Sequence, residues 1–500
     1  MTAPAREGTS LRRSLSVWQA VGLSIALMAP SMAANINPQG TAGLVGRATP
    51  LAFFLAAIAV LLIAYVFVRL CQYYRHAGSV YVFAGATLGA PAGAIAGLGL
   101  MGTYTFYALV TSSAAGIFGS ECLDIIGVWN NQPSWSGFLV GFIALVIALF
   151  LAIVPAKRAA KVLLSVEGIT VALILVVSAV VLVKMLAGNA PGDATFTMKV
   201  FTVPSGTSTS TLFLGIVFGL LSFAGFEAAS TLGEETHHPQ RDIPRAILGT
   251  AIFGGIYFTV VTAIEAMGFG TGDKGVAAFI DSGNTKGALG VLGSSYVGNW
   301  LGDLITLGAA VSAFGCCLAC VVGGSRLLFA IVRDLAPGHP VGRTGANDTP
   351  AVAAMVIAVV VFLIGLICAV FFNAVPFDTF LWSGTIGTLI LLVAYILATV
   401  GCIKLIWIDQ KMPQVPRWEI VFPALALVMI VYTIYRNVIP YPTSGPAQWF
   451  PVVALGWILV VTLVAFLVPG FAQRLAGGLR DLDRGDAGGD PEGEPEVVSG

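Results

Sequence analysis

The chain has 500 residues, of which 57% are hydrophobic and only 10% charged, and its formal net charge is zero. Apolar stretches repeatedly exceed about 18 residues, so the length does not divide into soluble domains; the composition is that of an all-α polytopic protein embedded in a lipid bilayer. A balanced charge leaves no basic footprint for nucleic acid.

Residues 1–14 are polar and basic and read as a short cytoplasmic tail. Arg12 and Arg13 precede the first apolar stretch, but no small-residue cleavage site follows it, so no cleaved signal peptide is expected. Twelve spans are predicted, near 15–41, 49–74, 91–119, 134–155, 160–186, 210–233, 244–269, 297–332, 350–372, 377–406, 418–438 and 449–470. Residues 475–500, rich in Gly, Asp and Glu, have almost nothing to bury and read as a disordered acidic tail. Twelve spans put both termini on one side. Of the 25 Lys and Arg, 19 fall on the terminal side and six on the other, which predicts cytoplasmic termini in the cytoplasmic membrane.

Two spans are interrupted. Span 1 carries Ala29-Pro30-Ser31 between Met28 and Met32, and Pro30 removes a backbone donor within the helix. Span 6 is interrupted at Ser222, Phe223, Ala224, Gly225 and Phe226, and a carboxylate, Glu227, follows at once. A broken helix with an acid beside the break is costly in a bilayer and persists where backbone lines an enclosed cavity. Five spans separate the breaks, so the two segments cross in opposite directions. This is the pattern of an inverted repeat, with repeat one at 15–186, repeat two at 210–406 and two extra helices at 418–470, all within a transporter domain at 15–470. After span 6 comes a charged, proline-punctuated stretch with Glu234, Glu235, Arg241 and Arg245, which reads as a cytoplasmic loop that braces span 6 through ion pairs, Arg333 being another partner, or as a solvated loop.

The segment SFAGFEAASTLGEETHHPQRDIPRAI resembles the sixth-span signature of the amino acid–polyamine–organocation (APC) superfamily, with G-F-E, paired acids and then N-P-x-R-x-x-P; His238 stands where Asn is usual. AGSVYVFAGATLGAPAGAIAG, SRLLFAIVRD and FLWSGTIGTLILLVAYIL are similar to the approach to span 3, the end of span 8 and span 10 of that superfamily, in the right order. The resemblance implies a five-plus-five inverted-repeat fold of the leucine-transporter type with broken spans 1 and 6. It also implies substrate contacts at Met28 to Met32 and at Ser222 to Phe226.

Free N–H groups at a half-helix N-terminus attract a carboxylate, and free carbonyls at a C-terminus attract an ammonium, so one zwitterion satisfies both. The superfamily more often has a Gly/Ser-rich triplet at span 1. Pro30 takes away one donor there and makes an amine lacking a carboxylate conceivable. Phe223, and less so Phe226, is a candidate lid over the substrate; packing is the alternative for each. Leu221 stands where some exchangers carry a large aromatic gate, and no such gate is inferred. Glu227 is a candidate proton carrier or, equally, a brace for unwound backbone. Proton-coupled relatives often carry a lysine in span 5, and Thr170 aligns with it; Thr170 offers a sodium ion only a single oxygen. Glu167, three residues before Thr170 on the same helix face, is a substitute protonatable group or a carboxylate paired near the interface, for instance with Lys161. Glu265 and Asp303 read as solvated near the outer membrane surface. Tyr104 and Tyr107, one turn apart, face the site or pack.

Gly97 to Gly102 fit a GxGxxG spacing but lie within an apolar span, where close helix packing explains them. Cys316, Cys317 and Cys320 include a CxxC spacing without a second pair or a nearby histidine, and read as small packing residues. No HExxH, P-loop or GxSxG is present, so the chain is not read as an enzyme and no cofactor or metal is expected. The expected function is secondary active transport of an amino acid by alternating access as a proton symporter. Transport or exchange of polyamines or ethanolamine-like amines is the alternative, and a non-transporting nutrient-sensing receptor a third reading.

Overall fold

A computed structural model describes residues 17–74, 80–154, 157–232, 236, 238–336, 338–345, 349–467 and 470. The tails at 1–14 and 475–500, Glu234, Glu235 and the side chain of Lys161 lie outside the described residues. The described elements are helical: α1 Val17–Met28, α2 Pro30–Val45, α3 Thr49–Tyr73, α4 Val80–Leu88, α5 Ala90–Ile125, α6 Ser136–Ile153, α7 Lys157–Leu186, α8 Leu212–Phe223, α9 Pro239–Phe269, α10 Asp273–Asp281, α11 Ala288–Tyr296, α12 Asn299–Leu335, α13 Ala351–Phe371, α14 Pro376–Ile403, α15 Val421–Val438 and α16 Trp449–Leu467.

Ten stretches are long and apolar enough to cross a membrane, and the first of them, Ser24–Tyr73, doubles back and holds two crossings. With the shorter apolar helix Thr209–Phe223 completing span 6, the twelve expected spans are accounted for. Their outer faces are apolar: Leu363 on α13, Val428 on α15 and Leu459 on α16 are 47%, 63% and 59% exposed. Such a surface belongs against lipid rather than water.

Two groups of helices form the interior. α3 packs on α9 and α8, with α1 against α9 and α2 against α8; α5 packs on α12, α6 and α14, with α13 against α6 and α12. Small residues let these helices approach closely. A Cβ at Gly219 would come within 2.6 Å of Ala56, and one at Gly102 within 2.4 Å of Trp457 Nε1. The GxGxxG of α5 is therefore a packing surface.

Three short helices, α4, α10 and α11, were not foreseen. The charged stretch after span 6 also differs from expectation. Pro239 opens α9 at its first position, Asp242 lies in the first turn, and Arg241 and Arg245 are exposed on the helix rather than in a loop. Asp303 pairs with Lys286 at 2.7 Å, both about a quarter exposed. Glu265 is not solvated at the interface as expected. It is 0% exposed, because α10 and α11 fold back over the outer end of α9.

Candidate substrate site

Span 1 breaks at a single residue. α1 ends at Met28 and α2 begins at Pro30, while Ala29 between them has φ 44° and ψ 57°, left-handed values that a residue with a Cβ adopts at a cost. Pro30 suits the first position of the new helix, since its missing donor would have had no intrahelical partner there. In span 6, α8 ends at Phe223, and a short 3-10 segment, Ala228–Leu232, follows after 224–227. Gly225 makes this break possible twice over: its φ is 101°, and a Cβ there would lie 2.7 Å from Leu27 Cβ. The two breaks are thus in direct contact. Asn37 Nδ2 donates to Ser222 Oγ at 2.6 Å and ties α2 to α8 as well.

A cavity lies beside the breaks. Met28, Met32, Ala224, Gly225 and Glu227 contribute to its wall, with Leu27, Leu221, Ala228 and Ser230. Leu100, Thr103, Tyr104, Tyr107, Val110 and Thr111 of α5 line the opposite side, and Cys316 and Cys320 of α12 complete it with Leu391 and Val80. Ala29, Pro30, Ser31, Ser222, Phe223 and Phe226 are buried behind this wall. Phe223 packs edge-on against Phe258 at 5.2 Å, and Phe226 packs against Phe67 at 5.9 Å and Tyr395 at 6.2 Å, so neither ring forms a lid here. Leu221, at the position of the aromatic gate, does face the cavity.

The α5 residues were legible only in part. Leu100, Thr103, Tyr104, Tyr107 and Thr111 recur at helical spacing on one face, yet Tyr104 and Tyr107 alone drew attention. Two of the cysteines also reach the cavity. All seven are free thiols; Cys316 and Cys320 face the cavity, and Cys316 Sγ–H donates to Leu27 O at 3.3 Å. Asn35, Asn37 and Gln39 of α2 were not legible because each has a partner distant in sequence: Asn35 Oδ1 accepts from Leu289 N–H and Gly290 N–H, Asn37 Nδ2 donates to Ser222 Oγ, and Gln39 Nε2 donates to Ser282 Oγ, while Asn37 Oδ1 and Gln39 Oε1 are buried without a partner among the described residues.

Electrostatically the site has one sign. Among the described residues Glu227 is the only charged one in the wall, and its Oε2 has no hydrogen-bond partner. The C-terminal ends of α1 and α8 point at the same region and add partial negative charge. The complementary donors are already used. Pro30 has none. Ser31 N–H donates to Glu167 Oε1 at 2.8 Å, Met32 N–H to Ser312 Oγ at 3.3 Å, and Ala33 N–H to Ala29 O at 2.9 Å. After the second break, Ala228 N–H donates to Gly225 O, Ala229 N–H to Ser24 Oγ and Ser230 N–H to Glu227 O. The carboxylate at the α2 N-terminus is therefore the protein's own Glu167, which is 5% exposed. Thr170 stands one turn further along α7. Its hydroxyl donates to Val166 O, and a Cβ at Gly308 of α12 would lie 2.0 Å from it, so α7 and α12 pack closely here.

A model of the amino acid permease family matches residues 15–465. The chain is 25% identical to the branched-chain amino acid permease BcaP of Bacillus subtilis over 449 residues, 85% of this chain and 84% of BcaP. It is 27% identical to the low-affinity putrescine importer PlaP of Escherichia coli over 420 residues, 82% of this chain and 84% of PlaP. A shorter match, 37% identical over 133 residues, covers 25% of this chain and 28% of the uncharacterized transporter Rv1999c of Mycobacterium tuberculosis. The chain belongs to the amino acid permease family of the APC superfamily, and is a multi-pass membrane transporter of amino acids or amines rather than an enzyme.

Proposed function

We propose that this chain carries small organic amines, recognised through an ammonium group without a carboxylate anchor, by alternating access driven by a proton gradient. One observation carries the choice: the N–H groups at the start of α2, which would receive a substrate carboxylate, already have acceptors, and Ser31 N–H is held by Glu167. Glu227, with a carboxylate oxygen unpartnered in the cavity wall, receives the ammonium. Tyr104 and Tyr107 supply ring faces for the cation and the alkyl chain. Alternating access is supported by the division of the interior into two helix groups with the broken spans between them. The count of Lys and Arg supports cytoplasmic termini. The likeness to the putrescine importer PlaP supports a diamine as first substrate to test.

A second reading, amino acid symport, is supported by the likeness to BcaP. It requires Glu167 to leave Ser31 N–H when the substrate carboxylate arrives. Uptake of labelled putrescine and of labelled valine into proteoliposomes separates the two. Saturable putrescine uptake that excess valine leaves intact supports the amine reading; valine uptake without putrescine uptake overturns it.

A further inference from the structure

Glu265 lies in α9, away from the cavity, and is 0% exposed. Neither carboxylate oxygen has a hydrogen-bond partner among the described residues, and the hydroxyls of Thr262 and Ser178 are likewise buried and unpartnered. None of these groups bonds another, but helix register sets them on facing sides of α7 and α9. α7 and α9 run parallel: Glu167 and Tyr257 both meet the start of α2, and Val181 and Gly268 meet further along each helix. Ser178 precedes Val181 by three residues, and Glu265 precedes Gly268 by three, so both sit one turn back on the facing sides. Thr262 lies one turn further back on the same face of α9. A Cβ at Gly268 would also meet Leu292 of α11 at 3.1 Å, so α11 closes this place from above.

The titratable groups on the surrounding elements are Glu167 and Lys184 on α7, Tyr257 on α9, Tyr296 on α11, Asp273, Lys274 and Asp281 on α10, Lys199 on the 3-10 segment Met198–Phe201 and Asp193 beside Gly270; Tyr65 and Arg69 of α3 lie toward the other end of α9. None of them bonds Glu265. Lys184 Nζ donates instead to Tyr296 O at 2.5 Å. A carboxylate charge without a counter-ion in such a place is costly, and binding a proton removes that cost.

We propose that Glu265, with Thr262 and Ser178, is a proton-binding site that couples the gradient to transport, separate from the substrate cavity. The proposal rests on the transporter reading but not on which substrate is carried. A protonated carboxyl is neutral, donates one hydrogen bond and accepts others, and two hydroxyls suffice for it. Four side-chain oxygens fall short of the six or more that calcium and magnesium take.

α11 supplies the link to the substrate site. At its start, Leu289 N–H and Gly290 N–H donate to Asn35 Oδ1 of α2. At its end, Tyr296 OH donates to Gly268 O at 2.9 Å, one turn from Glu265. Loss of the proton puts a charge beneath α11 that draws in water or Lys184, and this shifts a helix fastened to the half-helix at the first break.

The test uses the full chain in proteoliposomes, with labelled putrescine or, where wild type carries valine instead, labelled valine. Two rates are measured for wild type, Glu265→Gln and Thr262→Val: counterflow without a gradient, and accumulation driven by an imposed pH gradient, with proton entry followed by an internal pH dye. The ratio of driven accumulation to counterflow is expected to fall at least about tenfold in Glu265→Gln, with loss of substrate-dependent proton entry, and by a smaller factor in Thr262→Val. An unchanged ratio, an equal loss of both rates, wild-type accumulation indifferent to the pH gradient, or a sodium gradient driving uptake in its place overturns the proposal. Counterflow of valine but not putrescine in wild type overturns only the amine reading.

Discussion

At the scale of single residues, the account turns on two carboxylates with opposite tasks. Glu227 faces the cavity with an unpartnered oxygen, whereas Glu167 spends its charge on the α2 N-terminus. Glu227→Gln keeps the shape and removes the charge, so the apparent affinity for putrescine is expected to fall at least about tenfold, about 1.4 kcal/mol, in an uptake titration. Glu167→Ala frees Ser31 N–H. Valine, without effect on wild-type putrescine uptake, is then expected to compete, and failure to compete would show that the α2 N-terminus does not exclude it. Glu227 was legible because an acid beside a broken apolar helix stands out in any sequence. The bond from Ser31 to Glu167 was not, since 136 residues separate the partners and only the packed fold brings them together. Pro30 accounts for one missing N–H at the span-1 break and not for those that Glu167 and Ser312 occupy.

At the scale of elements, the proposed site depends on the two breaks, and Gly225 makes the second one possible. Alanine there meets both a φ of 101° and the Leu27 side chain at 2.7 Å. Gly225→Ala is expected to destabilise the protein by about 1–3 kcal/mol, read as a lower melting temperature in detergent, and to abolish uptake, because separating the breaks opens the cavity wall. The long spans were legible from hydropathy alone, since some twenty apolar residues admit few other fates. α4, α10 and α11 were not. Each has nine residues, too few for a hydropathy signal, and α11 is held by bonds to α2 and α9 rather than by a pattern of its own. That omission is why Glu265 seemed to lie at a solvated surface when two short helices cover it.

At the scale of the whole molecule, the helices divide into α1, α2, α3, α8 and α9 on one side of the cavity and α5, α6, α12 and α13 on the other. Cys316 and Cys320 report on the gap between the groups, because α12 brings both thiols to the cavity wall. Maleimide modification at Cys320, read by mass spectrometry, is expected to slow at least severalfold when putrescine is present, while Cys71, packed in α3, is unaffected. The central claim is that recognition needs an ammonium and has no place for a carboxylate, and a matched pair of ligands tests it most directly. Putrescine and ornithine differ by one carboxylate. In competition against labelled putrescine with wild-type protein in proteoliposomes, unlabelled putrescine is predicted to inhibit at least about a hundredfold more effectively than ornithine; equal inhibition by the two would contradict the account.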